Sequence, residues 1–332
     1  MIVDLPTNDR SSAMVSATFA SSTFEWSPKP PLVTIALPVY NAGKFFRPAV
    51  LSLLAQTFTN WELLIFDDGS EDDSLSTISD IKDPRIKVIK DRVNRGLVAR
   101  LNEAIDMAKG VYFARMDADD ISYPERLARQ VESLEGDSTL DLVGAKAITI
   151  GTEDQMLGLF PFARFHHEIC CRPWLGFYLV HPSWMGRTKW FRKYRYAVPA
   201  PYLCEDQELL LRSHADSKFG TVDKILFAYR VGAEPNWSKL AKTRREVFAF
   251  QSRHFMKRKQ WRFWLFSLFS FIARRCLDEM RQYGLSGRTK RFGGPEEDAE
   301  REWRSVVEAT RLSTGFNGDV SEVRETALKK RS

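Results

Sequence analysis

Three carboxylates stand within four residues at Asp117-Ala118-Asp119-Asp120, in a chain of 332 residues with a formal net charge of +6. Like charges this close repel unless a cation or hydrogen bonds offset them. An all-oxygen set suits magnesium or manganese, which bind through one or two carboxylates plus substrate phosphates. The same aspartates also suit a simpler task, capping the helix that begins after Pro124. A second acidic turn, Asp67-Asp68-Gly69-Ser70, has the composition of an ordinary strand-to-helix connection. It equally offers a carboxylate to a nucleobase imide or a ribose. Arg100 falls in the first turn of a helical pattern, off its apolar face. There it is either a solvated cation or a partner for diphosphate oxygens beside a helix amino terminus. Glu205-Asp206 precede a short helical stretch, so they read as a cap or as a general base for an attacking hydroxyl. His181-Pro182-Ser183 reads as structural or as part of a loop facing a second substrate.

The elements that would position these groups follow a βα rhythm. Leu32–Leu37, Glu62–Phe66, Ile86–Ile89 and Val111–Met116 read as short apolar strands. Phe45–Gln56 and Leu97–Lys109 read as helices between them. In the second, Leu97, Leu101, Ala104, Ile105 and Ala108 share a face, and Gly110 supplies a stop. This rhythm predicts an α/β fold with a mostly parallel sheet flanked by helices. Strand one runs into Pro38-Val39-Tyr40-Asn41, strand two into Asp67-Asp68, and strand four into Asp117-Ala118-Asp119. Ligands of open parallel sheets bind beyond the carboxyl ends of the strands, so three strands deliver polar clusters to one edge. Further on, Glu125–Leu134 and Asp206–Ser213 read as helices, and Leu142–Ile150 and Lys224–Arg230 as strands.

Together these segments resemble the family 2 glycosyltransferases of GT-A fold. Ile35-Ala-Leu-Pro-Val-Tyr-Asn41 is similar to the family's opening strand. Leu51-Ser-Leu-Leu-Ala-Gln-Thr-Phe58 followed by Trp61-Glu-Leu-Leu-Ile-Phe-Asp-Asp-Gly-Ser70 resembles its most recognisable stretch. Asn94-Arg-Gly-Leu-Val-Ala-Arg100 resembles its Asn-x-Gly segment and following arginine. Met116 to Leu127 contains the Asp-x-Asp metal motif, and His181-Pro182 and Cys204 to Arg212 match the acceptor-side histidine and the Glu-Asp motif. The likeness covers residues 31–231 in the right order. It implies an inverting transfer of a sugar from a nucleotide-diphosphate donor, with uridine favoured, to a hydroxyl of a glycan or lipid-linked acceptor, in bacterial surface polysaccharide synthesis. It implies that Pro38, Tyr40 and Asp68 contact the nucleoside, that Arg100 stands near the base or diphosphate, and that Asp117 faces ribose and phosphates. It further implies that Asp119 holds a Mn or Mg cation, that Asp206 is the base, and that His181 and Glu205 lie on the acceptor side. Gln207 and Glu208 stand where relatives often carry an aromatic residue and an aspartate, a departure that bears on the acceptor.

The remaining sequence frames this unit. Residues 1–30, rich in Ser, Thr and Pro, read as a disordered leader and lack the pattern of a signal peptide. Residues 31–238 read as the catalytic domain, with 31–120 the nucleotide-binding half and 121–238 the acceptor half. A basic aromatic segment, 239–285, and a charged tail, 286–332, follow. Cys170, Cys171, Cys204 and Cys276 form no C-x-x-C pair, so free thiols in a reducing cytosol are expected. No run approaches the roughly 20 apolar residues of a spanning helix. Between Lys239 and Arg275 eleven Lys or Arg face one acid, Glu246, with aromatics interleaved. That composition fits a helix on an anionic membrane, on the inner face of the plasma membrane, as well as a helix packed on the domain. Nucleic-acid binding is the weakest fit and no nucleic-acid partner is expected. Two other functions share parts of this pattern, a nucleotidyltransferase and a catalytically silent sugar-nucleotide-binding scaffold. Against the first, this sequence has no Gly-rich phosphate loop with a following Lys near strand one.

Overall fold

Alternation along the first strand builds two cores. Val33–Val39 (β1) is buried at every position. Val33, Ile35, Leu37 and Val39 pack on one face of the sheet and Ala36 on the other, the pattern of a strand covered on both sides. In this computed structural model residues 30–232, 236–283 and 297–314 are described. The expected leader, apart from Pro30, and much of the expected tail lie outside the described residues.

β1 pairs in parallel with Trp61–Asp67 (β2) and Tyr112–Arg115 (β4), and β2 pairs in parallel with Ile86–Lys90 (β3). Phe46–Leu54 (α1) covers one face and Leu97–Met107 (α2) the other. Gly110, just after α2, lets two strands approach. A Cβ there would lie 2.5 Å from the Thr34 nitrogen and 2.7 Å from the Tyr112 oxygen.

The second half departs from the parallel rhythm. Its elements are Ile121–Ser122 (β5), Arg126–Gly136 (α3), Leu142–Ile150 (β6), Met156–Leu159 (β7), His166–Ile169 (α4), Met185–Arg187 (β8), Thr188–Tyr194 (α5), Glu205–Ser213 (α6) and Phe219–Arg230 (β9). The sheet runs β3-β2-β1-β4-β8-β6-β9-β5, with β7 on β6. Only β6 and β9 pair in parallel here; β8 is antiparallel to both β4 and β6. This reversal has a consequence for the site. An antiparallel β8 must be entered from the carboxyl end of β4, so the turn before β8 lands beside Asp117. Ala114 pairs with Met185, and the Arg115 N–H donates to the Trp184 carbonyl at 2.9 Å.

The basic aromatic segment forms a helical hairpin, Trp237–Lys257 (α7) and Trp261–Gln282 (α8). Arg244 bonds Asp278 at 3.0 Å, Phe248 stacks on Phe271 at 4.9 Å, and Ser267 donates to Gln251 at 2.5 Å. These descending pairs fix an antiparallel arrangement. Phe250 and Phe255 of α7 enter the core beside Trp190 and Phe219, and the Gln251 amide donates to the Pro173 and Trp174 carbonyls. The expectation of a helix packed on the domain therefore holds for α7. Within the expected tail, Glu297–Thr314 forms a helix, α9.

Candidate active site

The carboxyl ends of β1, β2 and β4 lie side by side because the strands are parallel and in register, with Val39 opposite Asp67 and Ala36 opposite Arg115. Beyond them opens a cleft of about 560 Å³ lined by Pro38, Tyr40, Lys44, Phe45, Asp68, Leu97, Asp117 and Asp119. Four of the residues singled out for nucleotide binding, and the expected metal ligand Asp119, thus share one wall. Pro38 fits a sheet because β4 pairs with β1 only as far as Ala36, so its missing N–H deprives no partner on that side. The Tyr40 ring projects half-exposed over the cleft. Asp67 closes a turn instead, accepting the Ser70 N–H at 2.9 Å.

Asp68 and Arg100 form a buried node. The Asp68 carboxylate accepts the Arg95 and Gly96 N–H groups at 2.8 and 2.9 Å, and Arg100 Nε at 2.8 Å. Every other N–H of Arg100 is also taken: by Asp91, by Glu103 at 3.1 Å, and by the Val93 carbonyl at 2.6 Å. The guanidinium holds the Asp91 carboxyl down to about 2. Arg100 is therefore buried behind Asp68 and fastens the 91–96 loop to it; Asp68 reaches the cleft wall and Arg100 does not.

The acidic triplet is divided by burial. Asp117 accepts Arg115 Nη2 at 2.5 Å and faces the cleft. Burial, reinforced by Asp117, pushes the Asp119 carboxyl up to about 6. Asp120 is fully buried, with one oxygen on the Arg230 N–H at 2.8 Å and the other without a partner among the described residues. Its carboxyl is driven well above the usual range by burial, then by Asp117 and Asp119. Asp117 and Asp119, two oxygen donors at the wall of a cleft, fit a hard divalent cation that draws its other ligands from substrate phosphates. Among the described residues, the group of three close ligand side chains is instead His181, Glu205 and Asp206.

The 3-10 turn His181–Ser183 stands beside the end of β4, as the reversal of β8 requires. His181 is buried, with Nε2 2.7 Å from the Tyr196 hydroxyl and Nδ1 3.5 Å from Glu205 Oε1. Burial, then the Arg115 guanidinium, lowers the His181 imidazole to about 3. It is neutral at pH 7, and its partners assign the tautomer: Tyr196 donates to Nε2, and Nδ1–H points at the Glu205 carboxylate. Ligand atoms of His181, Glu205 and Asp206 all lie within 4.8 Å of one another. Asp206, in the first turn of α6, accepts the Gln207 amide at 2.9 Å, and burial raises its carboxyl. Gln207 also accepts the Phe177 N–H at 2.8 Å, so the side chain that departs from the family pattern ties Asp206 to the 177 loop. Gly176, at φ 105°, leaves space that a Cβ would close to 2.7 Å from Gln207.

Residues missed in the sequence join these groups. Arg115 is buried at the end of β4, paired with Asp117, and its charge is felt by His181 and coupled to Glu205 and Tyr196. Its Nε and Nη1 have no partner among the described residues. A lone arginine in the apolar run Val111–Met116, two residues before an acidic cluster, was the available signal. Tyr196, Phe45 and Arg230 had none, since their contacts are set by distant segments.

The model of glycosyl transferase family 2 matches residues 34–195, ending before Glu205-Asp206. An uncharacterized glycosyltransferase of Haemophilus influenzae is 32% identical over 150 residues, 42% of this chain and 46% of that protein. An uncharacterized glycosyltransferase of Methanocaldococcus jannaschii, MJ1057, is 27% identical over 256 residues, 73% of this chain and 88% of that protein. WfgD of Escherichia coli, a UDP-Glc:alpha-D-GlcNAc-diphosphoundecaprenol beta-1,3-glucosyltransferase, is 35% identical over 103 residues, 31% of this chain and 41% of that protein. The chain thus spans less than half the length of the first and third of these. Among solved structures, S. aureus TarS 1–349 in complex with UDP-GlcNAc superposes with a TM-score of 0.52 at 17% identity, covering 85% of this chain and 92% of that one. The mannosyltransferase PcManGT from Pyrobaculum calidifontis, in complex with GDP-Man and Mn2+, gives 0.53 at 14%, covering 91% and 87%. At these identities the likeness is one of fold.

Proposed function

Because the chain belongs to glycosyl transferase family 2 and has the GT-A fold, we propose that it is an inverting, divalent-metal-dependent transferase that moves a sugar from a nucleotide diphosphate to an acceptor hydroxyl. Arg115 carries this reading. Its guanidinium pairs with Asp117 at the end of β4, the turn carrying His181 enters β8 beside that end, and His181 has a ligand atom within 4.8 Å of one on Asp206. These contacts support a reading in which the acidic motif and the base candidate flank a single site.

In this reading residues 31–238 are the catalytic unit, with the donor held by 31–120 and the acceptor by 121–238. Pro38, Tyr40 and Asp68 hold the nucleoside, Asp117 faces ribose and phosphates, and Arg100 positions Asp68. Asp117 and Asp119 hold the Mn or Mg cation, which when bound supplies Lewis-acid neutralisation of the leaving diphosphate. Asp206 takes the proton from the acceptor hydroxyl as that oxygen attacks the anomeric carbon. Glu205 fixes the His181 tautomer, and the neutral imidazole keeps a second positive charge away from Asp206. The uridine preference draws support from the UDP-GlcNAc complex of TarS, while the GDP-Man complex of PcManGT supplies the competing donor to test. With Mn2+ and a panel of nucleotide sugars, one UDP-sugar at about a hundred times its Kd raises the melting temperature by about 5 °C, and chelation removes the shift. A panel with no Mn2+-dependent shift ends the donor reading. Binding without turnover points instead to a silent scaffold.

The acceptor, a glycan or a lipid-linked sugar, is met in this reading at an anionic membrane surface, with the protein peripheral on its cytoplasmic face. Among the described residues no helix is long and apolar enough to cross a membrane. The outward face of α8 nevertheless carries an apolar line, Trp261, Leu265, Phe269, Ile272, Met280 and Tyr283, with Phe269 and Tyr283 74% and 73% exposed. Lys257, Arg258, Lys259 and Arg262 stand exposed at one end of it. Apolar residues that enter the headgroup boundary beside cations that meet anionic lipid are the parts of an interfacial helix. The protein sediments with phosphatidylglycerol vesicles at low salt, and Phe269→Glu cuts the bound fraction by about tenfold (roughly 1.4 kcal/mol). Wild-type protein that stays in the supernatant at low salt ends the membrane reading.

A further inference from the structure

The Asp119-Asp120 loop is held from behind by a residue outside the donor half. Arg230, the last residue of β9, is buried and spends its donors on two segments, 119–120 and the 151–154 turn. Its N–H donates to Asp120 Oδ1 at 2.8 Å and its Nε to the Asp119 carbonyl at 2.7 Å. Nη1 donates to the Gly151 carbonyl at 2.6 Å and Nη2 to Asp154 Oδ1 at 2.8 Å. The guanidinium also lies 4.3 Å from the centre of the Phe45 ring, which lines the donor cleft. Asp154 sits in the left-handed region at φ 61°, which Asp adopts more readily than most residues, and closes its turn through its N–H on the Gly151 carbonyl at 3.2 Å.

Asp154 is held from the far end of the chain as well. Trp303 of α9 donates its indole N–H to the Asp154 carbonyl at 2.7 Å. The same ring stacks on Tyr123, 6.2 Å between centroids at 26°. Trp303 and Val306 are buried in one cluster with Ile121, Tyr123, Ile148 and Ile150, and Ile121 directly follows Asp120. The acidic loop is therefore clamped on both sides by contacts that end on α9, by polar links through Asp154 and Arg230 and by apolar packing through Tyr123 and Ile121.

We propose that α9 is a positioning element of the donor site, with Trp303 and Arg230 setting the backbone of Asp119 and Asp120. In assigning a consequence for cation binding the proposal rests on Asp119 as the metal ligand; the positioning itself does not. A helix that reads as charged tail then controls how well the acidic motif is preorganised, while contributing no atom to the cleft's acidic wall. α9 also packs against α1, but β1 and β2 draw on cores that lack Trp303, so loss of the Trp303 contacts loosens the motif before it unfolds the parallel half.

The test compares full-length wild type with Trp303→Ala, with Trp303→Phe, which keeps a ring and loses the N–H, and with Arg304→Ala, an exposed control on the same helix. Amide hydrogen exchange is read over residues 117–123, with β1 and β2 as the internal standard. Mn2+ affinity is read by electron paramagnetic resonance with UDP as co-ligand. In Trp303→Ala, exchange over 117–123 quickens about tenfold, the equivalent of roughly 1.4 kcal/mol. Mn2+ binding weakens by a similar factor, donor KM rises and acceptor KM holds. Trp303→Phe shows a smaller change of the same sign, and Arg304→Ala none. Exchange over 117–123 at the wild-type rate in Trp303→Ala, with β1 and β2 protected, overturns the proposal. If that variant does not fold, an unchanged rate in Trp303→Phe overturns it. Wild type that takes up no Mn2+ defeats the metal assignment, and the exchange comparison still decides the role of α9.

Discussion

Asp119→Ala loses transfer by about a thousandfold and, without divalent cation, melts higher than wild type at pH 7.5. The first effect is the loss of a ligand to the cation that offsets leaving-group charge, worth several kcal/mol at about 1.4 kcal/mol per factor of ten. The second follows from the sign of the titration. The Asp119 carboxyl is pushed up to about 6 by burial and by Asp117, so between the ordinary carboxylate range and about pH 6 the folded state binds more protons than the unfolded state. That contribution is present at low pH and lost as pH rises through about 6. At pH 7.5 the ionised side chain is a net cost to the cation-free fold, which alanine removes. The melting advantage of the variant therefore shrinks as pH falls from 7.5 towards 4, and Mn2+ raises the melting temperature of wild type only. Calorimetric melts at the two pH values, with chelator or Mn2+, and an assay of released nucleotide diphosphate check both halves. Full turnover of Asp119→Ala under chelation would remove Asp119 from the metal site.

The parts of this site that were legible in sequence are those written into local pattern. Leu142–Ile150 has the bounds of β6, because a nine-residue run with turn residues on both sides leaves little choice of register. The ends of β1, β2 and β4 were legible because a parallel sheet forces polar residues to one edge. After β4 the sheet becomes mixed, and there β8 spans three residues and β5 two. Strands that short have no period to detect, and their pairing is decided by partners far along the chain. Arg100 illustrates the same limit. Its place off the apolar face of α2 was visible, but its burial depends on the 91–96 loop folding over it onto Asp68. The tail was opaque for a related reason. Ala299, Trp303 and Val306 recur at helical spacing, but so few apolar residues among so many charges leave the docking partner undetermined, and only the fold shows that Trp303 and Val306 bury against β5 and β6.

Convergence of the Glu-Asp motif on the β4 end rests on geometry that no single segment contains, and Asp206→Asn is the substitution that probes it. Turnover falls by about 10²–10⁴, the range spanned by loss of a positioned general base, while UDP–Mn2+ affinity by calorimetry stays within about twofold. The amide keeps the shape and cannot accept the acceptor's proton. Rate against pH separates this from a packing defect. Burial raises the Asp206 carboxyl, so wild-type turnover falls on the acid side with a midpoint above that of an ordinary aspartate, as the ionised form is consumed. His181, lowered to about 3, stays neutral through that range and adds no limb of its own. Burial is the largest influence on Asp206 and outweighs the opposing pull of His181 and of the Gln207 hydrogen bonds. In Asp206→Asn the acid limb disappears along with most of the rate. Unchanged turnover would take the base role from Asp206. A Glu205→Gln variant that alone loses both rate and limb would move the role one residue back, to the carboxylate that here faces His181 Nδ1.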